Sequence, residues 1–403
     1  VSPLEAARQL GRRICEAADW QGDRCSWSDS QTGRPMDADL YDGTAGVAWF
    51  LAQLAAVDGD DGAWRPTAVA AIRYALDQVA ARPTIRAGLY HGDLGVLWAA
   101  AEVGGQLGDD AIRERALELA ADLSRSSPAD RAGVDLLGGS AGDLLAILGL
   151  TGRTDGLGLQ DAEQIAMRLA ARAEEMLQGI AWSQPSQPDG RPGYPVGLAH
   201  GGSGIALALL ELDAASGTDQ YRHLAMEALA FERAWFDRRA CAWRDPQSHL
   251  PTATSWCRGS AGIGLARLRC RQLASDGRLS AEAGAALASV HAATAAALAP
   301  GRQAQPWEQR NFSTCHGLMG AADLLLHASV TLEVAEHRLA AERIVERGLA
   351  VAGKDARWPC GTVDRAESMG LLLGLAGIGA VLLRVAAPDR LAPVGLLTYS
   401  TSE

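Results

Sequence analysis

A Gly-x-x-Gly step followed by an apolar helical run occurs seven times in this chain: at Gly43–Gly46, Gly92–Gly95, Gly139–Gly142, Gly201–Gly204, Gly259–Gly262, Gly317–Gly320 and Gly374–Gly377. Successive first glycines stand 49, 47, 62, 58, 58 and 57 residues apart. Such self-similarity marks a repeat architecture, in which each unit buries its apolar face only against its neighbours. Two glycines at helix-turn spacing let backbones approach closely where a packed helix begins. The runs they open, such as Val47–Leu54, Ile205–Leu212 and Ile378–Leu383, are poor in charge and read as helices buried on most sides.

Amphipathic segments lie between these runs: Pro3–Ala18, Thr67–Ala81, Asp110–Ser124, Asp161–Leu177, Gln220–Phe236, Ser280–Leu298 and Leu332–Ala350. In Asp161–Leu177, Ile165, Met167, Leu169, Ala170 and Met176 alternate with Arg and Glu at helical spacing, predicting one core face and one wet face. Each unit therefore reads as an outer amphipathic helix followed by an inner apolar one, with almost no competing strand signal. An open solenoid needs polar terminal caps. Here the last inner run, Leu371–Leu383, is as apolar as the central ones, and the first, Val47–Leu54, is similar. The pattern thus predicts an all-α chain, an α/α toroid (barrel) of seven outer and seven inner helices, with residues 1–403 as a single domain. Ser183–Pro195 and Arg239–Thr254 read as long rim loops. If every step is built alike, the helix N-termini share one rim, and their dipoles favour negative charge there.

At 403 residues and 48% hydrophobic content the chain can bury a substantial core. A net charge of −11 and the lack of a basic stripe argue against nucleic acid. No apolar run reaches the roughly 18–20 residues of a membrane-spanning helix. Glu5, Arg8, Arg12 and Arg13 interrupt any secretory signal at the start. The expectation is a cytoplasmic protein. Its seven cysteines, an odd number scattered widely, point to metal or catalysis at a few positions and not to a disulfide framework.

The repeats serve as their own control. The two residues before each first glycine are Tyr41-Asp42, Tyr90-His91, Leu137-Gly138, Ala199-His200, Cys257-Arg258, Cys315-His316 and Leu372-Leu373. Leucine suffices in two of the seven, so the fold itself demands neither Cys nor His there. Cys257, Cys315 and His316 offer two thiols and an imidazole at matched positions 58 residues apart, a donor set that suits Zn²⁺ with one position left open. Adjacent Cys315 and His316 can share a metal only from a non-helical turn. Neither Cys270, inside the following helix, nor Cys360, in a loop, occupies the ligand position, which favours an open catalytic site over a closed structural one. His200, in the neighbouring unit, is open to three roles: fourth ligand, general acid/base, or structural histidine. Asp135, in an apolar setting, needs a partner, either an imidazole or a backbone N–H as a cap or loop carboxylate. His91 and Asp42 are candidates for substrate contact or for a polar lining.

With these motifs in place the chain resembles the lanthionine synthetase C-like family, the lanthipeptide cyclases, over essentially its whole length. It is most similar to the C-terminal cyclase domain of class II lanthipeptide synthetases, through Leu40-Tyr-Asp-Gly-Thr-Ala-Gly and Gly374-Leu-Ala-Gly-Ile-Gly with Leu383-Arg384. The resemblance implies Zn²⁺ as cofactor, with Cys257, Cys315 and His316 as ligands, His200 as acid/base and Asp135 as its carboxylate partner. It implies a dehydrated leader–core precursor peptide as substrate and a fused or separate dehydratase as partner. The upstream dehydratase domain has no counterpart in this sequence, so an excised domain or a stand-alone relative is expected. Some stand-alone cyclases carry an arginine shortly before the first zinc cysteine and an aromatic just after it. Here Ala253 and Thr254 stand at the first place and Arg258 at the second, and Arg258 is a candidate to supply the positive charge. The implied reaction adds a peptide thiol to dehydroalanine or dehydrobutyrine. Alternatives are a zinc enzyme that adds glutathione or another external thiol, a non-catalytic zinc-containing peptide scaffold, and a prenyltransferase-like toroid, which usually needs a carboxylate ligand that nothing here supplies.

Overall fold

The structure is a computed structural model that describes residues 1–28, 32–59, 62–125, 133–154, 156–185, 192–299, 311–353 and 357–397. Fourteen α-helices are found among the described residues. The first seven are α1 (Pro3–Glu16), α2 (Thr44–Asp58), α3 (Trp64–Ala81), α4 (Asp93–Leu107), α5 (Asp110–Arg125), α6 (Ser140–Leu150) and α7 (Leu159–Ala171). Then come α8 (Gly202–Ser216), α9 (Arg222–Ala234), α10 (Ser260–Leu273), α11 (Gly277–Leu298), α12 (Leu318–Thr331), α13 (Ala335–Ala352) and α14 (Leu375–Ala386). Even-numbered helices begin at the glycine steps and correspond to the inner runs; odd-numbered ones are the amphipathic segments.

Local chemistry accounts for both kinds. In α1, Ser2 Oγ accepts the Glu5 N–H at 3.2 Å and Pro3 sits at the first turn. In α2 every residue from Thr44 to Leu54 is buried, as an inner helix requires. In α9 burial is confined to Ala225, Ala228, Leu229, Phe231 and Glu232, a single face at i, i+3, i+4, i+6 and i+7.

The chain divides into two compact units: Val1–Thr84, Val96–Ala120 and Thr294–Glu403 in one, Ile85–Gly95 and Ala121–Ala293 in the other. In the second unit α6, α8 and α10 are successive neighbours. In the first, α12 lies beside α14 and α14 beside α2, so the last inner helix adjoins the first. The pairing order differs from the sequence expectation of an outer helix on the inner helix that follows it. Inner helices pack on the outer helix after them in α2–α3, α6–α7, α8–α9 and α12–α13. Helix α1 is left without an inner helix before it in sequence, and it packs on α14. That contact joins the two ends of the repeat series.

Two local expectations are also corrected. The helix read over Asp161–Leu177 stops at Ala171, and Glu174–Glu175 (β3) instead pairs antiparallel with Ile180–Ala181 (β4). Its buried face is Ala162, Ala166 and Leu169, while Met167 is 54% exposed and Leu177 fully so. Similar two-stranded hairpins form from Asp19–Gln21 (β1) with Arg24–Ser26 (β2), Gln184–Pro185 (β5) with Pro192–Gly193 (β6), and Phe236–Asp237 (β7) with Ala242–Trp243 (β8). Both long loops read from the sequence carry such strands; residues 186–191 of the first lie outside the described residues.

Buried charges tie the helices together. In the second unit Arg267, fully buried on α10, reaches Glu232 of α9 at 2.8 Å, Glu282 of α11 at 2.5 Å and Ser203 Oγ of α8 at 2.9 Å. In the first, Asp323 of α12 pairs with Arg384 of α14 and accepts the Val394 and Gly395 N–H groups, pinning the chain beyond α14. Breaking such a pair leaves an uncompensated buried charge and costs about 3–5 kcal/mol.

Candidate active site

Within each unit, turns leading into inner helices are held by the corresponding turn of the next repeat. In the second unit Tyr90 N–H donates to the Leu137 carbonyl and Leu137 N–H to the Ala199 carbonyl, both at 3.2 Å, and Ala199 N–H donates to the Cys257 carbonyl at 2.9 Å. In the first unit Cys315 N–H donates to the Leu372 carbonyl at 2.9 Å and Leu372 N–H to the Tyr41 carbonyl at 2.7 Å. All of these residues stand two places before the first glycine of their step. In each unit the backbone ladder thus presents side chains in the same register: Tyr, Leu, Ala and Cys in the second, Cys, Leu and Tyr in the first.

The glycines are a steric requirement of that ladder. A Cβ on Gly259 would lie 2.6 Å from Ser255 N and overlap the Ala253 carbonyl. One on Gly262 would overlap the Trp256 carbonyl. Trp256 is itself fully buried, edge-on to Tyr90 at a ring separation of 4.9 Å, which anchors the turn carrying Cys257.

Asp135, His200 and Cys257 belong to the second unit. His200 Nδ1 lies 2.8 Å from Asp135 Oδ2, and Asp135 Oδ1 accepts the Gly138 N–H at 2.9 Å. Asp135 thus fills both candidate roles, loop carboxylate and imidazole partner, while Gly139 takes the N-cap of α6. An ionised carboxylate only accepts, so Nδ1 carries the hydrogen and Nε2 is left to exchange a proton. The His200 side chain retains 24% exposure, enough for access, whereas Asp135 retains 13%. The His200 carbonyl accepts from Gln184 Nε2 at 2.6 Å. Cys257 is half-buried with Sγ 3.6 Å from Ser255 Oγ, and Arg258 is exposed.

The His200 turn is also held from within the core. Gly197 adopts φ +104°, a conformation that favours glycine, and a Cβ there would lie 2.7 Å from the Cys257 carbonyl. Its N–H donates to Glu232 Oε1 at 2.6 Å, and Glu232 is the carboxylate that pairs with Arg267. The buried ion network therefore ends on the loop that carries the imidazole.

Cys315 and His316 belong to the first unit. Cys315 is buried, and the Tyr41 hydroxyl donates to its Sγ at 3.0 Å. His316 Nε2 lies 3.0 Å from the Gly361 carbonyl, and Gly361 N–H donates in turn to the Leu373 carbonyl at 2.8 Å. A carbonyl only accepts, so Nε2 carries the hydrogen and Nδ1 the lone pair. Among the described residues, no group of three or more His, Cys, Asp and Glu side chains is gathered as a ready metal-binding cluster.

Other sequence candidates sort themselves by environment. Burial pushes the Cys25, Cys270 and Cys360 thiols up to about 12, so these are inert packing groups. Asp42 accepts from Ser368 Oγ at 2.7 Å and so fastens the first repeat to the seventh. His91 donates its N–H to the Leu137 carbonyl at 3.0 Å, with a half-buried side chain. Sequence reasoning missed Tyr41, Gly361 and Glu232 as neighbours of the candidate groups. Two of them left a signal: Tyr41 shares the ladder position of the cysteines, and Glu232 sits in register with the apolar face of its helix.

The fold recurs in solved structures of low sequence identity. One titled nisin cyclase matches with a TM-score of 0.62 and 17% identity, covering 97% of each chain. A GH76 α-mannanase from Bacteroides thetaiotaomicron matches with a TM-score of 0.54 and 10% identity, again over 97% of each chain. A protein from Listeria innocua matches with a TM-score of 0.52 and 10% identity, over 96% of this chain and 98% of that one. No curated protein matches the chain. The fold class these structures define is the all-α, α/α toroid, a scaffold shared by unrelated activities. Within it, this chain belongs to the lanthionine synthetase C-like protein family, which it matches over residues 34–397. No helix among the described residues is long and apolar enough to cross a membrane.

Proposed function

We propose that this chain is a zinc-dependent lanthipeptide cyclase: a lanthionine synthetase C-like domain over 1–403 that adds cysteine thiols of a dehydrated leader–core peptide to dehydroalanine or dehydrobutyrine. One observation carries the reading. The imidazole–carboxylate pair of His200 and Asp135, 2.8 Å apart, stands one ladder step from Cys257, joined to it by the Ala199 N–H to Cys257 carbonyl bond. An acid/base group beside a thiol in a family of cyclases suits thiol addition followed by proton delivery.

Cys257, Cys315 and His316 are the residues that would hold Zn²⁺, and their chemistry fits it. Two thiols and an imidazole form a common zinc donor set. The Gly361 carbonyl holds His316 in the tautomer whose Nδ1 lone pair can coordinate, and Tyr41 donates to the Cys315 sulfur. Bound zinc would supply the positive charge that deprotonates a peptide thiol near neutral pH, and two thiolate ligands would leave that sulfur nucleophilic.

The remaining work falls to the chain's own groups. Thiol addition at the β-carbon leaves negative charge on the α-carbon enolate. His200, its Nδ1–H directed at Asp135, takes up at Nε2 the proton that the thiol releases and delivers it to that carbon. Asp135 fixes the ring's tautomer and orientation, and is itself fixed by the Gly138 N–H. Arg258, exposed beside Cys257, is a candidate source of positive charge for the enolate. The test is a dehydrated Cys-containing peptide with and without glutathione, followed by maleimide capping and mass spectrometry. Loss of capping without any gain of glutathione mass supports intramolecular cyclisation. Glutathione adducts with the peptide cysteine still capped would replace that reading with external thiol addition.

A further inference from the structure

A closed circuit of contacts links three turns of the first unit. Cys315 N–H donates to the Leu372 carbonyl, Leu372 N–H donates to the Tyr41 carbonyl, and the Tyr41 hydroxyl returns to Cys315 Sγ at 3.0 Å. Tyr41 comes from the first repeat, Cys315 from the sixth, and Leu372 of the seventh bridges them. The phenol is therefore not a loose surface group that happens to lie near sulfur. Its backbone is set by the same ladder that sets the cysteine, and the adjacent Asp42 is fastened to Ser368.

We propose that Tyr41 is a positioning residue that tunes the Cys315 thiolate: its O–H donates to sulfur and draws charge from it, weakening it as a metal donor. Hydrogen bonds to an ionised acceptor are roughly twice as strong as neutral ones, and partners of this kind tune a metal through its ligands. The Tyr41 hydroxyl thus reaches a candidate ligand from a turn of the same ladder. A consequence is that the junction of the first and last repeats bears on the chemistry of Cys315 as well as on stability.

This inference rests on the reading of Cys315 as a metal ligand, and Co²⁺ substitution separates the two. The full chain is loaded with Co²⁺ in place of Zn²⁺, and the thiolate-to-cobalt charge-transfer band is recorded for wild type, Tyr41→Phe and Asp42→Asn. A hydrogen bond lowers the sulfur lone pair and raises the energy of that band. The expected result is a shift to longer wavelength in Tyr41→Phe and an unmoved band in Asp42→Asn, which keeps the phenol and an acceptor for Ser368. Circular dichroism checks that all three proteins are folded; a purely structural role for Tyr41 would lower stability without moving the band. An unmoved band in Tyr41→Phe overturns the Tyr41 proposal and leaves the metal reading standing. The absence of any thiolate band in wild type overturns both.

Discussion

The turns before Gly317 and Gly374 are built alike and differ in what they carry. Cys315 and Leu372 both donate their N–H to the next turn along the ladder, at 2.9 and 2.7 Å, and both are buried. Leu372 spends its side chain on the core. Cys315 offers a sulfur to the Tyr41 hydroxyl, and the adjacent His316 is held by the Gly361 carbonyl. One backbone device therefore serves as scaffold in one repeat and as candidate chemistry in the next, so the two contributions can be removed separately.

The largest effect is expected where the chemistry is taken away and the ladder kept. Cys315→Ala should lose bound zinc and peptide cyclisation together, read by metal content and by maleimide capping of the peptide. Leu372→Ala should do the reverse, keeping zinc and activity per folded molecule while losing about 2–5 kcal/mol of stability in denaturant unfolding. Equal loss of activity in both variants at matched folded fraction would erase the distinction between the turns.

A second pair sharpens the same contrast inside the other unit. His200→Ala should retain zinc and slow ring closure by about 10²–10⁴-fold, the usual worth of a general acid. Asp135→Asn should cost less, roughly 10–100-fold, because it disturbs the orientation of the imidazole without removing it. An Asp135→Asn protein as slow as His200→Ala would mean that the carboxylate does more than orient.

The smallest effect concerns the cysteines that do not carry chemistry. Cys25, Cys270 and Cys360 rise from an ordinary 9.0 to about 12 because burial disfavours the thiolate. In the unfolded chain these thiols lose their protons near pH 9 and in the folded chain only near 12. The stability they contribute is therefore complete below pH 9 and is lost as pH rises toward 12. Thermal melts at increasing pH should show the midpoint falling across that window, and Cys270→Ala should make the fall shallower. At pH 8 to 9 iodoacetamide should spare these three thiols in the native protein.

Much of this was legible in the sequence for a local reason. A Gly-x-x-Gly step is needed wherever a helix begins against the backbone of its own lead-in turn, as Gly259 and Gly262 show, so the seven steps mark the inner helices directly. Cys257, Cys315 and His316 stood out because other repeats use leucine in the same register. What was not legible depends on where the chain's ends meet. That α1 packs on α14, while α2, α8 and α12 pack on the outer helix after them, follows from joining the first repeat to the last. The bond from Tyr41 to Cys315 belongs to the same junction, and no sequence spacing announces a contact 274 residues long. The hairpins escaped because strands of two or three residues carry too few side chains to show a period of two.

In the proposed reaction a proton-delivering imidazole in one turn and a metal-holding thiol set in others act on one peptide thiol addition. Metal content and ring closure measured together on wild type, zinc-stripped wild type and His200→Ala, with one dehydrated peptide, test it most directly. The expected results are closure by wild type, none after zinc removal, and slow closure by a His200→Ala protein that still holds its zinc. Full activity in the His200→Ala protein, or undiminished closure after zinc is stripped, would contradict it.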